Sequence, residues 1–225
     1  MRCPHYRARN ESGSSGSFGS SKRRLDYNST MTRFPRLFSL VVASALLIIA
    51  LTALTTSTRQ HAAIAEITRL GGKVQTTQGG PDWLRRLVGH RLMSIFDRAT
   101  VVNLSDTETT DADLDVLTRL RGVERLALAR TKVTDFGMAG IGRLTGLKAL
   151  DLGGTQVTDE AMAHLDELRH LEFLYLNGTT VTDVGLVQLE QLHNLRTLAV
   201  EGTAVSEAGV EKMRKALPGL KEIGR

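Results

Sequence analysis

The side chains best suited to catalysis are few and scattered in this 225-residue chain. Its single cysteine, Cys3, lies in a basic N-terminal stretch far in sequence from any structured partner, so no thiolate nucleophile is expected. One thiol also excludes an internal disulfide and a four-cysteine zinc site. The six histidines are His5, His61, His90, His164, His170 and His193. The last three occupy three different positions of a 24-residue period, so they do not stack into a ligand set. The chain contains no H-E-x-x-H, no G-x-S-x-G and no G-x-x-x-x-G-K-[ST]. Gly140, Gly142 and Gly146 give G-x-G-x-x-x-G, which is not a dinucleotide spacing and follows no strand pattern. The expectation is a protein that is not an enzyme and that needs no cofactor and no metal.

Acids recur in a regular column instead. Asp111, Asp135, Asp159, Asp183 and Glu207 are 24 residues apart, each after a hydroxyl: Thr110, Thr134, Thr158, Thr182 and Ser206. A hydroxyl just before a helical pattern is an N-cap worth ~1 kcal/mol. An acid in the first turn complements the helix dipole. The column reads as helix capping rather than as calcium ligands.

Everything after residue 100 shares this period. Repeats two to four begin at Arg125, Ala149 and Phe173; a degenerate first copy begins at Val101 and a fifth at Thr197. Val102, Leu126, Leu150, Leu174 and Leu198 form one column, and Leu104, Leu128, Leu152, Leu176 and Val200 a second, two residues on. A spacing of two predicts a strand with one buried face. Steps of three then follow, as in Met138, Ile141 and Leu144, and predict one stripe of a short helix. One such unit cannot bury its apolar face, whereas stacked units can.

The pattern L-x-x-L-x-L-x-x-T-x-V, carried by Leu147, Leu150, Leu152, Thr155 and Val157, resembles the leucine-rich repeat. The phrase T-x-V-T-D-x-G-L is similar to that of short bacterial membrane-anchored leucine-rich-repeat proteins and of ribonuclease-inhibitor and F-box type repeats. The resemblance implies an α/β fold, a right-handed solenoid with a concave parallel strand ladder and short convex helices. One departure stands out. The family's Asn or Cys position is Thr107, Thr131, Thr155, Thr179 and Thr203 here, so an asparagine ladder is not assumed.

In each strand the residues flanking the buried leucines point outward. Of the three aromatics in the repeats, two, Phe173 and Tyr175, fall on this face. Aromatics at a concave centre are typical binding anchors. The candidate site is therefore Phe173 and Tyr175, with Asp151, Arg125, Asn177 and Glu201 as polar flanks, and its expected ligand is a protein. The second reading is a structural envelope spacer that associates with itself and has no specific ligand.

Charge is split along the chain. Residues 1–100 carry 15 Lys and Arg against 5 Asp and Glu, and residues 101–225 carry 14 against 19. The repeats are thus acidic, which speaks against nucleic-acid binding. Residues 37–56, LFSLVVASALLIIALTALTT, hold no charge and at ~1.5 Å per residue reach ~30 Å, the thickness of a bilayer core. The expectation is a transmembrane helix at Leu37–Thr56 after a disordered basic tail over 1–36, uncleaved despite the A-x-A at Ala63–Ala65. Lys22, Arg23, Arg24, Arg33 and Arg36 precede it, which favours a cytoplasmic N-terminus and repeats on the other side. Residues 57–100 then form a juxtamembrane segment and an N-terminal cap. Arg59–Leu70 predicts a separate short helix, and Lys73–Thr77 a strand. Residues 81–98, with Trp83, Leu84, Leu87, Leu92, Ile95 and Phe96, predict the cover of the open end of the stack. The LPGLKEI ending predicts the opposite cap.

Overall fold

A computed structural model describes residues 34–88, 93 and 96–224. Cys3, His5, His90, Leu92, Ile95 and the expected disordered tail up to residue 33 lie outside them. By internal contacts the chain divides into Met1–Leu47 and Ile48–Arg225. The described part of the first unit is the opening of helix α1, which runs from Phe34 to Arg69.

Where the sequence predicts two helices, α1 is one of 36 residues. Pro35 stands in the first turn, where its missing N–H is not needed, and no Gly or Pro follows until Gly71. The hydroxyls that could have competed for backbone groups fold back onto the helix. Thr55 donates to the Thr52 carbonyl at 3.0 Å, Thr58 to Thr55 at 2.8 Å and Thr68 to Ile64 at 2.9 Å. Gly71, with φ +89°, ends the helix, and the Gly72 N–H donates to the Ile67 carbonyl at 2.9 Å. Among the described residues no helix is long and apolar enough to cross a membrane. The side chains of residues 34–40 and of several residues between 46 and 56 lie outside those described.

Seven strands form one sheet in chain order. β1 (Lys73–Thr77) pairs antiparallel with β2 (Arg98–Asn103). β3 (Arg125–Ala127), β4 (Ala149–Asp151), β5 (Phe173–Tyr175), β6 (Thr197–Ala199) and β7 (Glu222–Gly224) follow in parallel. The ladder thus has six parallel strands rather than five. The LPGLKEI ending, expected as a cap, supplies β7; repeat one pairs with repeat two from Val101 as expected, and β2 itself begins three residues earlier, at Arg98. Between strands lie a 3-10 helix over Asp111–Arg119 and the helices α3 (Asp135–Ile141), α4 (Asp159–Met162), α5 (Asp183–Gln188) and α6 (Glu207–Ala216).

One core joins the strand ladder to the helices. Leu126, Leu150, Leu174 and Leu198 stand in register and are buried, as are Met138, Ile141, Met162, Leu165, Leu189 and Met213 from the helical side. Burying each such side chain contributes ~1.5–3 kcal/mol. Register and burial leave the alternate strand residues on the opposite, open face.

The end of the stack is covered differently from the expectation. Ala63 and Ile67 on the C-terminal part of α1 are fully buried in the core, and the Gln60 amide donates to the Asp97 carbonyl at 3.0 Å. After β1 comes the short helix α2 (Asp82–Val88). Trp83 is 67% exposed and Leu87 75%, so the expected packing of Trp83 under a cap is wrong.

Candidate functional site

Two polar columns hold the frame on which the open face is built. The hydroxyls of Thr131, Thr155, Thr179 and Thr203 donate to the carbonyls of Leu128, Leu152, Leu176 and Val200, three residues back, at 2.6–2.7 Å. This column stitches each turn to itself, so no ladder runs between repeats where the family's asparagine would make one. The residue before each Thr is left-handed: Asp106, Arg130, Gly154, Gly178 and Gly202 have φ between 55° and 68°. Glycine accepts that conformation without a Cβ clash, whereas Asp106 and Arg130 do not. These two form a bidentate pair at 2.5 and 2.7 Å. The Arg130 bond holds the Asp106 carboxyl below its ordinary pKa and raises that of Arg130.

The acidic column works between repeats. The Asp111 carboxylate accepts the Thr134 N–H at 2.8 Å and its O–H at 2.6 Å. Asp135 does the same for Thr158, Asp159 for Thr182, and Asp183 for Ser206. The hydroxyls cap their own helices as expected, Thr134 accepting from the Phe136 N–H at 3.3 Å. The acids, read as dipole partners, instead tie each helix start to the next. They also explain the glycine of T-x-V-T-D-x-G-L: a Cβ at Gly137 would stand 2.6 Å from the Asp111 carboxylate. Among the described residues no group of His, Cys, Asp and Glu side chains could hold a metal ion.

On this frame the open face presents three rows. Register sets Arg125, Ala149, Phe173 and Thr197 side by side in one row and Ala127, Asp151, Tyr175 and Ala199 in the next. The third row lies just beyond the strand ends, with Asn177 and Glu201. Phe173 is 37% exposed, Tyr175 and Asp151 half-buried, Arg125 and Glu201 exposed. Asp151 uses one carboxylate oxygen to accept the Gly153 N–H at 3.0 Å, and Asn177 its amide oxygen to accept the Glu201 N–H at 2.9 Å. The Asn177 amide N–H groups have no partner among the described residues. Small neighbours, Ala149 beside Phe173 and Ala199 beside Tyr175, leave the aromatic pair standing above its surroundings. Four of the six expected residues thus lie in register in the sheet and Asn177 and Glu201 just past its strand ends, with Arg125 two strands from the aromatic pair.

Two features escape the sequence reading. A cleft of 540 Å³ opens beside Arg125, lined by Thr77, Gln78, Phe96, Arg98, Thr100 and Glu124 among others. Phe96, expected in the cap core, is 44% exposed there. The one sequence signal for it is the strand at Lys73–Thr77, whose pairing with β2 brings the two walls together. The second feature is Phe136, 91% exposed at the start of α3 on the helical face, with Val184 at 66% two repeats on.

A family described as Leucine Rich repeat matches residues 167–189, from the end of one unit through α5 of the next. Those residues are a leucine-rich repeat. The other units share its period, its buried columns and its strand register, and together they form an α/β arrangement around a parallel ladder. No curated protein matches the chain. Among solved structures it is similar to a leucine-rich-repeat protein of Leptospira interrogans, at 21% identity and a TM-score of 0.36, over 48% of this chain and 32% of that one. It is also similar to leiomodin-1 actin-binding site 2, at 18% identity and a TM-score of 0.44, over 54% and 80%. An internalin of Listeria monocytogenes matches at 17% and 0.36, over 54% and 38%. The matched region spans about a third of the Leptospira protein's length.

Proposed function

We propose that this chain is a membrane-anchored protein-recognition module that grips a partner on the concave strand face of its leucine-rich repeats. The observation that carries the reading is the placement of Phe173 and Tyr175. They stand on one strand at the middle of the ladder, between small residues and beside Asp151, Asn177 and Glu201. Aromatic side chains supply large contact area at low entropy cost, and a partner side chain can enter the room left by Ala149 and Ala199. The polar flanks then set orientation through hydrogen bonds. Leu37–Thr56 is the proposed single span, with the N-terminus cytoplasmic and the repeats on the extracytoplasmic side. The uncharged run and the basic residues before it support this topology. So do the exposed apolar side chains of Val41, Leu47 and Ile48 on α1, which lipid would cover.

The test is photo-crosslinking in intact cells with benzoylphenylalanine at position 173. A discrete protein adduct that disappears when Tyr175→Ala is added supports partner binding. Absence of any adduct, or an adduct with a second copy of this chain only, overturns it, the latter in favour of the self-associating spacer. Topology is read separately by adding a cysteine after Arg225 and labelling with an impermeant maleimide. Labelling from outside is expected, and labelling of Cys3 instead would reverse the orientation.

A further inference from the structure

The ladder face is unequal along its length. In the repeats several cations are matched with an acid of the neighbouring unit: Arg130 with Asp106, Lys148 with Glu124 at 2.9 Å, Arg196 with Glu172 at 3.5 Å, and Lys132 with Glu108. Arg98 and Arg125 are among the cations outside these pairs. Both are exposed, and neither has an ion pair among the described residues. Both line the 540 Å³ cleft at the N-terminal end of the ladder face, and the exposed Phe96 forms an apolar wall beside them.

We propose that this cleft binds a carboxylate side chain from an acidic segment of the partner held at Phe173 and Tyr175. The proposal rests on the concave-face reading and adds the partner's chemistry and its direction of lie.

Charge selects an anion, and the anion that a protein partner's own side chains carry is a carboxylate. The lining holds two guanidiniums and the Glu124 carboxylate, a net charge of +1, and Glu124 is itself engaged by Lys148. An acidic side chain of a protein partner brings the opposite charge to the two guanidiniums. Guanidinium forks match the two oxygens of a carboxylate. Walls of Thr77 and Thr100, whose hydroxyls bond one another at 2.9 Å, add polar groups at the rim.

Register sets the direction. Arg125, Ala149 and Phe173 are consecutive in one row, so the guanidinium stem begins two strand spacings, ~10 Å, from the aromatic anchor. On the other side of the aromatic pair the exposed Glu201 repels an acid. A segment with its acidic end over the cleft and its apolar side chain over Phe173 fits, and the reversed segment sets its acid against Glu201 and leaves the cleft's guanidiniums without an anion.

The probe is a displayed library of random 12-residue peptides, selected on the full chain immobilised in detergent micelles. Three proteins are compared: the wild type, Arg98→Gln/Arg125→Gln and Phe173→Ala/Tyr175→Ala, each checked by an unchanged thermal melt. Peptides that need the aromatic pair are expected to carry Asp or Glu in excess toward one end. They should bind the Gln variant about tenfold or more weakly, and added acetate should weaken their binding to the wild type more than to the Gln variant. Peptides that need the aromatic pair but show no acidic excess, or bind the Gln variant as well as the wild type, overturn this inference alone. Selected peptides indifferent to the aromatic pair, or no selected peptides, overturn the concave-face reading and the inference with it.

Discussion

Both faces of the repeat stack expose large apolar side chains, in very different company. On the ladder face Phe173 and Tyr175 share one strand, and backbone register fixes Asp151, Ala149 and Arg125 around them. On the helical face Phe136 is far more exposed, yet the positions equivalent to it are Glu160, Val184 and Ala208. A glutamate interrupts that column, so no apolar stripe forms. Exposure by itself therefore does not mark a recognition surface. Under the proposed function the distinguishing feature is a stiff frame that holds apolar anchors and polar groups side by side, and the ladder has that arrangement.

Both faces hang from one core, so the largest effect should strike them together. Leu150→Ala empties a fully buried site at the centre of the stack and is expected to cost ~2–5 kcal/mol in denaturant unfolding, with both faces lost in one transition. Asp159→Ala separates the faces. It strands the Thr182 N–H and hydroxyl, for ~1–3 kcal/mol, and hydrogen exchange should quicken in α5 while β4 to β6 stay protected. Thr155→Val removes only a bond inside one turn and should cost about 1 kcal/mol, with no spread to neighbouring repeats. If Thr155→Val proved as damaging as Asp159→Ala, the distinction between stitching within and between repeats would fail.

The smallest effect is at the exposed rim. Arg130 lowers the Asp106 pKa below 3.8, so the pair's contribution is present above that pH and is lost as pH falls through the depressed value. Asp106→Asn should therefore lower the melting temperature slightly at neutral pH. The gap should close as the pH drops below ~3.8, and a gap that widens on acidification would contradict the assignment.

Periodic features were readable from residues alone because five copies vote on each position. Leu126, Leu150, Leu174 and Leu198 could hardly be anything but a buried column, and the hydroxyl before each helix could hardly be anything but a cap. What occurs once was not readable. Trp83 and Ile67 are both apolar residues before the repeats, and pattern cannot say which reaches the open core; the unbroken α1 and the β1–β2 pairing decide it. The role of Asp159 was hidden for another reason. Its partner is Thr182, 23 residues away, and that contact exists only once neighbouring units stack. The positions of Arg125, Asp151, Phe173 and Tyr175 in the ladder were legible because strand alternation is local. Arg98 was missed because its position depends on β1, an element outside the repeat.

The most direct test of the ladder face as the recognition surface is paired photo-crosslinking in intact cells, with benzoylphenylalanine at position 175 in one chain and at position 136 in another. The account predicts a discrete adduct with a different protein from position 175, abolished by adding Phe173→Ala, and none from position 136. An adduct from position 136 alone, or equal adducts from both, would contradict it and move recognition to the helical face or remove the distinction between the two.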